Sequence, residues 1–255
     1  MSKSILITVL TWNDWENTVV CLESIFHNDY QNFDVLLINN GSEKYHIQKI
    51  KDWAKNKILI DDKEIEFNKN KQIKIINTTN NQKINAKGSK NIYLIDLEKN
   101  IGLAPAVNIG FKFSIQNQYD LTARIDCDFI VTKEYLKNMS SIFEVKNDIV
   151  AASPKIKHAY LRNTIWWKGF KSTWSYLKFQ RTMNLKKKRI IDDSNYKGIV
   201  ETDAVAGCCS FYKTTIFKIS GLEDEDFIFG PEDAELSFRL RKVGRLIVNL
   251  DAVAF

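Results

Sequence analysis

The first forty residues constrain the fold most. Residues 4–10 form an unbroken apolar run, residues 15–26 carry apolar side chains at helical spacing, and residues 33–38 return to an apolar run. Strands without polar alternation are buried on both faces, so this β-α-β unit predicts two neighbouring parallel strands joined by a right-handed crossover. Each run closes on a polar turn, Thr11-Trp12-Asn13-Asp14 after the first and Asn39-Asn40-Gly41-Ser42 after the second. Ligands of such sheets sit beyond the carboxyl ends of the strands, so the two turns are expected side by side at a ligand-binding edge.

The pattern continues with a strand at 91–97, a helix at 104–116, a strand at 121–125, a helix near 133–143 and a strand at 149–153. The last third reads as a strand at 204–212, an acidic loop from 223, a helix at about 233–242 and a final strand at 246–250. Residues 55–90 are rich in Lys, Asn and Gln, and their β-like pieces at 57–60 and 73–77 suggest a surface hairpin or excursion. An aromatic, basic segment runs on to about residue 188. No Pro/Gly/Ser linker divides the 255 residues, whose 44% hydrophobic content suffices for a large core, so residues 1–255 are read as one α/β domain.

The net charge of +6 suits a partner that is anionic, such as a diphosphate or a membrane surface. Nucleic acid is not expected, because the lysines form no aromatic-interleaved basic repeat and no nucleic-acid-binding module is present. Cys21, Cys127, Cys208 and Cys209 lack zinc-site spacing and read as reduced thiols of a cytosolic protein. The opening MSKSILITVLTWNDW reads as a buried first strand rather than a leader, and no segment approaches the roughly 20 apolar residues of a membrane span.

Three motifs carry chemistry. Asp126-Cys127-Asp128 stands where an apolar strand runs into a turn; two carboxylates one residue apart can converge on a hard cation, and Mg²⁺ or Mn²⁺ shared with a diphosphate needs only one or two of them. Taken alone, such a pair is more often a solvated turn, and its position in an α/β pattern is what raises its meaning. The segment from Asn100 to Gly110 joins a strand to a helix, with Pro105 suited to the first helical turn and small residues that permit close approach of a ligand or of the sheet. Glu232-Asp233 opens a helix; ordinary capping accounts for it in isolation, but it follows the acidic run Glu223-Asp224-Glu225-Asp226 and the aromatic Phe227-Ile228-Phe229, a loop able to carry a base to a sugar hydroxyl.

Together these pieces resemble the family 2 glycosyltransferases of the GT-A fold, in particular the rhamnosyltransferase-like members that build bacterial surface polysaccharides. The resemblance rests on Thr11-Trp12-Asn13, Asn39-Asn40-Gly41-Ser42, the segment 100–110, Asp126-Cys127-Asp128, Asn163-Thr164-Ile165-Trp166-Trp167-Lys168-Gly169, Ala206-Gly207-Cys208 and the stretch 221–239. They occur in the family's order and span the chain apart from 55–90. The resemblance implies a mostly parallel central sheet flanked by helices, with residues 1–130 as the nucleotide-sugar-binding half and 131–255 as the acceptor-binding half.

It also implies an inverting transferase that moves a sugar from a nucleoside-diphosphate donor, dTDP-rhamnose or a UDP-sugar, to an oligosaccharide or lipid-linked saccharide. Thr11, Trp12, Asn13, Asn39, Asn100 and Asp126 would line the donor, Asp126 and Asp128 would hold Mn²⁺ or Mg²⁺, Asp233 would be the general base with Glu232 as its alternate, and Trp166, Trp167 and Gly207 would meet the acceptor. Core packing competes for one of the tryptophans. The expected location is the cytoplasm, free or peripheral at the inner face of the plasma membrane.

Two positions depart from the family's pattern. Asn39 stands where Asp is usual, although its side-chain oxygen can still accept from a pyrimidine N3–H. A family metal-binding His would follow the last strand, about where this sequence reaches Phe255, and His27, His46 and His158 match no such position; either that residue lies beyond Phe255, or the third ligand is water or another group. Two other classes compete: a nucleotidyltransferase, which would want a Gly-rich basic loop after the first strand, and a catalytically inactive sugar-binding or scaffold module.

Overall fold

The computed structural model describes residues 2–58, 73–84, 86–171, 189–227 and 230–255. Strands β1 (Ile5–Thr11), β2 (Phe33–Asn40), β3 (Ile75–Asn77), β4 (Ile92–Leu97) and β5 (Leu121–Ile125) form an all-parallel half-sheet in the order β3-β4-β2-β1-β5. Beyond it lie β6 (Ile149–Lys157), β9 (Ile199–Thr202), β10 (Cys209–Lys213) and β11 (Arg245–Ala254), in the order β10-β6-β11-β9. β10 is antiparallel to both β5 and β6, so β6 and β11 again run with the first half. A short ribbon, β7 (Thr164–Trp167) and β8 (Ile190–Ile191), pairs with the far end of β6. The carboxyl ends of β1, β2, β4, β5 and β6 and the amino end of β10 therefore share one edge.

Helices cover both faces. α1 (Trp15–Phe26), α2 (Lys44–Ala54) and α4 (Tyr135–Val145) lie on one face, where Val19, Leu22, Ile50, Trp53, Leu136 and Met139 share a core with Ile5, Ile7 and Val9 of β1, α4 resting on β6 and β11. On the other face α3 (Leu103–Gln116) sets Ala106 and Phe113 on Leu6, Leu36 and Ile38. Its Val107 and Phe111 join Leu236 and Leu240 of α6 (Glu232–Leu240) and Phe217 of the short helix α5 (Phe217–Ser220). Gly110 of α3 lies so close to β1 that a Cβ there would sit 2.3 Å from the Thr8 hydroxyl.

The first helix falls where its apolar spacing predicts, capped by Asp14, whose carboxylate accepts from the Asn17 amide at 3.3 Å. One helix stands where the sequence pattern raises no expectation, and one strand is shorter than expected. Of the 73–77 piece, Ile75–Asn77 forms β3 and pairs in parallel with β4, while residues 59–60 of the other β-like piece lie outside the described residues. The lysine-rich 44–54 is a helix, held by Ile47, Ile50, Trp53 and Ala54 on one stripe. The strand expected at 204–212 begins only at Cys209, because the Cys209 amide turns back to the Ala206 carbonyl at 3.2 Å.

One buried charge ties the loop before β4 to the core. Asp34, fully enclosed in β2, accepts from the amides of Gly88, Ser89 and Asn91 at 2.5–3.2 Å and from the Tyr119 hydroxyl at 2.8 Å. Asp34→Ala leaves four donors without this acceptor and is expected to lower stability by about 3 kcal/mol, read by urea unfolding. A loss within the range of ordinary surface substitutions would mean that water replaces the carboxylate.

Candidate active site

The site is built around a cation inside the sheet. Arg124 on β5 has only 4% of its side chain exposed, and such burial is tolerated because carboxylates surround it. Its Nε and Nη2 donate to the two oxygens of Asp126 at 3.0 and 3.3 Å, and Nη1 donates to Glu223 Oε1 at 3.3 Å. Glu232 Oε1 lies 3.8 Å from the same Nη1. Burial pushes the Asp126 carboxyl up and Arg124 pulls it back down. Burial also pushes Glu223 up to about 7, helped by Glu232, Asp233 and Asp126 and opposed by Arg124.

The acidic turn and the acidic helix meet across β10. The Asp126 amide donates to the Cys208 carbonyl at 2.8 Å, and one residue earlier the Gly207 amide donates to Asp233 Oδ2 at 2.9 Å. Asp233 Oδ1 accepts from the Ala234 amide at 2.7 Å, so two backbone N–H groups fix the carboxylate's rotation. Glycine is required here: a Cβ on residue 207 would stand 2.7 Å from the Asp233 Cβ. Asp126, Asp128, Glu232 and Asp233, far apart in the chain, are thus gathered at one rim of the sheet.

Two further side chains hold the acidic loop. Asn108, buried in α3, donates to the Glu223 carbonyl at 2.8 Å and accepts from the Glu223 amide at 3.0 Å. Arg239 of α6 donates to the Leu222 carbonyl at 2.6 Å and to Glu235. Sequence reasoning misses Arg124, although a charged residue inside the apolar run Leu-Thr-Ala-Arg-Ile is a visible signal, and it holds Glu223 and Asn108 only as members of longer motifs without these roles.

All four cysteines lie on this side of the molecule. Cys127 stands between the two aspartates, and Cys21 donates toward the Asp126 carbonyl at 3.6 Å. Burial pushes Cys127 and Cys209 up to about 12 and raises Cys21 and Cys208 as well, so the thiols stay protonated. Among the described residues no three or more His, Cys, Asp or Glu are grouped to hold a metal. A hard cation would rest on exposed Asp128, with Asp126 beside it drawn to Arg124, and would take its other ligands from phosphate and water; that donor set fits Mg²⁺ or Mn²⁺.

Along the same edge the other expected residues are present but differently employed. Thr11 is buried, its hydroxyl 2.7 Å from that of Thr18. Asn13, at φ +54°, takes the Glu43 amide on Oδ1 and gives its own amide to the Ser42 hydroxyl, both at 2.9 Å. Asn100 Oδ1 accepts from Asn40 at 3.1 Å and from the Gly102 amide at 2.9 Å. Asn39 is 1% exposed, with Oδ1 on the Ser42 amide at 3.0 Å and Nδ2 on Asp96 at 2.6 Å. Trp12 is 57% exposed beyond β1.

Trp166 and Trp167 fall on β7, at the carboxyl end of β6. Trp167 packs against the core and donates to the Ser153 hydroxyl at 3.0 Å, while Trp166 is exposed.

A parallel five-strand half-sheet, an antiparallel strand beside it and carboxylates at the shared edge are the arrangement of the GT-A fold. Residues 80–206, just under half of the chain, match the model of glycosyl transferase family 2. The solved structure of GalNAc-T7 with UDP, GalNAc and Mn²⁺ superposes with a TM-score of 0.66 at 15% identity, over 99% of this chain and 43% of that one. The mannosyltransferase PcManGT from Pyrobaculum calidifontis, with GDP-Man and Mn²⁺, gives 0.62 at 13% identity over 100% of this chain and 56% of that one. S. aureus TarS 1–349 gives 0.61 at 16% identity over 98% and 59%. The chain thus spans about half the length of these structures, and at such identities the likeness is one of fold. No curated protein sequence matches the chain.

Proposed function

We propose that the chain is an inverting, divalent-metal-dependent glycosyltransferase that moves a sugar from a nucleoside diphosphate to a saccharide hydroxyl. The observation that carries this reading is the gathering of Asp126, Asp128 and Asp233 at one rim of a GT-A sheet, tied through Cys208 and Gly207. The similar structures were solved with UDP and GDP-Man and with Mn²⁺, which supports a nucleotide-sugar donor and a metal. The resemblance of the motifs adds the finer proposal: a dTDP-rhamnose or UDP-sugar donor, a bacterial surface-polysaccharide acceptor, and a place at the inner face of the plasma membrane.

When bound, Mn²⁺ or Mg²⁺ would supply positive charge to the leaving diphosphate. The chain's own residues do the rest. Asp128 and Asp126 present their oxygens on the turn after β5. Asp233 takes the proton from the acceptor hydroxyl as its oxygen bonds to the anomeric carbon and the bond to the diphosphate breaks on the opposite face. The two N–H donors on Asp233 leave a lone pair on each oxygen for that proton and hold the carboxylate in place before substrate arrives.

Two measurements test this. With Mn²⁺ or Mg²⁺, a panel of UDP-, dTDP- and GDP-sugars is expected to yield at least one that raises the melting temperature and is slowly hydrolysed without acceptor. A panel that neither stabilises the protein nor is cleaved would end the proposal. Asp128→Ala is expected to reduce nucleoside-diphosphate affinity in Mn²⁺ at least to the level found with a chelator. Calorimetry returning the parent affinity would remove the metal from this turn.

A further inference from the structure

We infer that Asp96, and not Asn39, reads the base of the donor, and that it selects a uracil or thymine nucleotide. This rests on the nucleotide-sugar reading above and deepens it by naming the residue that selects the base.

Three polar residues end the strands in one row. The parallel registers pair Thr11 of β1 with Asn39 of β2, and Asn39 with Asp96 of β4. Their parity is that of Val9, Leu37 and Leu94, so all three belong to the face covered by α1 and α2. Thr11 and Asn39 are each 1% exposed, and their side chains are occupied by Thr18 and by Ser42 and Asp96. Only Asp96 reaches solvent.

The Asn39 amide donates to Asp96 Oδ1 at 2.6 Å, and Oδ2 has no hydrogen-bond partner among the described residues. That bond fixes the rotation of the carboxylate and leaves one oxygen at the edge as an acceptor. Asn39 therefore serves as the carboxylate's support, which explains how a neutral residue occupies a buried position beside an acid.

The place suits a base. From β4 to β5 the sheet order is β4-β2-β1-β5, three spacings of ~4.8 Å, or roughly 14 Å between the Asp96 end and the acidic turn. An extended nucleoside diphosphate covers a gap of this order, with its phosphates at Asp128, its base at Asp96 and exposed Trp12 between them.

A single fixed carboxylate oxygen selects by hydrogen-bond polarity. The imide N3–H of uracil or thymine donates to it. Cytosine presents an acceptor at N3 and adenine one at N1, so each would face the carboxylate lone pair to lone pair. Guanine offers N1–H and an amino group side by side and would want both oxygens, one of which Asn39 already holds.

The test is calorimetry on the intact chain in Mn²⁺ with UDP, dTDP, GDP and CDP as probes. UDP and dTDP are expected to bind at least tenfold more tightly than CDP and GDP. Asp96→Asn, which turns an acceptor into an amide, is expected to collapse the UDP-over-CDP ratio while the melting temperature without ligand stays unchanged; Asp96→Ser, with a shorter side chain, is expected to remove the preference without favouring CDP. A parent protein that binds CDP as tightly as UDP overturns the inference without any variant. So does an Asp96→Asn protein that keeps the parent ratio, or an Asn39→Ala protein that loses it while Asp96→Ser does not. If no nucleoside diphosphate binds at all, the transferase reading falls first and this inference with it, whereas tight binding without base preference spares the former.

Discussion

Asp233→Asn is expected to lower kcat by two to four orders of magnitude, the range ascribed to a positioned general base, while nucleoside-diphosphate affinity in Mn²⁺ is retained. The substitution removes the proton acceptor but nearly preserves the shape. It also has a small structural cost, because Asp233 accepts from two amides, Gly207 and Ala234, and an asparagine oxygen can keep only one of those bonds in place. A stability loss of about 1 kcal/mol should accompany the kinetic loss and can be measured separately by unfolding. Single-turnover assays with saturating donor separate the two effects. Normal turnover by this variant would move the base to Glu232, yet Glu232 leans toward buried Arg124, leaving Asp233 the better placed of the pair.

The parts of the molecule legible in the sequence are those whose signal is local. The β-α-β start was readable because apolar runs and a capped amphipathic helix need no distant partner to be recognised. The helix α2 escaped because its four buried positions are diluted by Lys44, Lys49 and Lys51 on the solvent side. The strand expected at 204–212 is shorter in the structure because Ala-Val-Ala-Gly-Cys-Cys, apolar in composition, forms a turn that seats Asp233 against Gly207.

Partnership in space was illegible. Nothing in a linear reading tells that Arg124 would find Glu223 across 99 residues of chain, or that Asn39 would find Asp96 across 57. The acidic turn was correctly placed at the strand end, but the division of labour between its two carboxylates depends on Arg124, which engages Asp126 and leaves Asp128 to solvent. The same holds for Asn39: its position was evident, and its burial behind Asp96 follows only from the register of two parallel strands.

The other large effect concerns the buried cation. Arg124→Leu is expected to destabilise the protein by about 3–5 kcal/mol near pH 8, since it strands carboxylates that lose their only counter-charge of this kind among the described residues. The loss should depend on pH. Glu223 is pushed up to about 7 from an ordinary value of 4.5, so between those limits the folded chain holds a proton that the unfolded chain has released. Its contribution to stability is therefore full below about pH 4.5 and is lost as the pH rises through about 7. Without the guanidinium, Glu223 and Asp126 lose the charge that holds their carboxyls down, and both are driven further toward their protonated forms. The deficit of the variant should accordingly shrink as the pH falls from 8 to 5, where protonation neutralises the cluster. Arg124→Lys should be intermediate, because a point charge on a flexible stem cannot make the forked contact with Asp126 and reach Glu223 together. Urea unfolding at pH 5, 6.5 and 8 reads the result. A deficit equal at all three values would mean that Arg124 acts through packing alone, and the electrostatic account of this site would have to be given up.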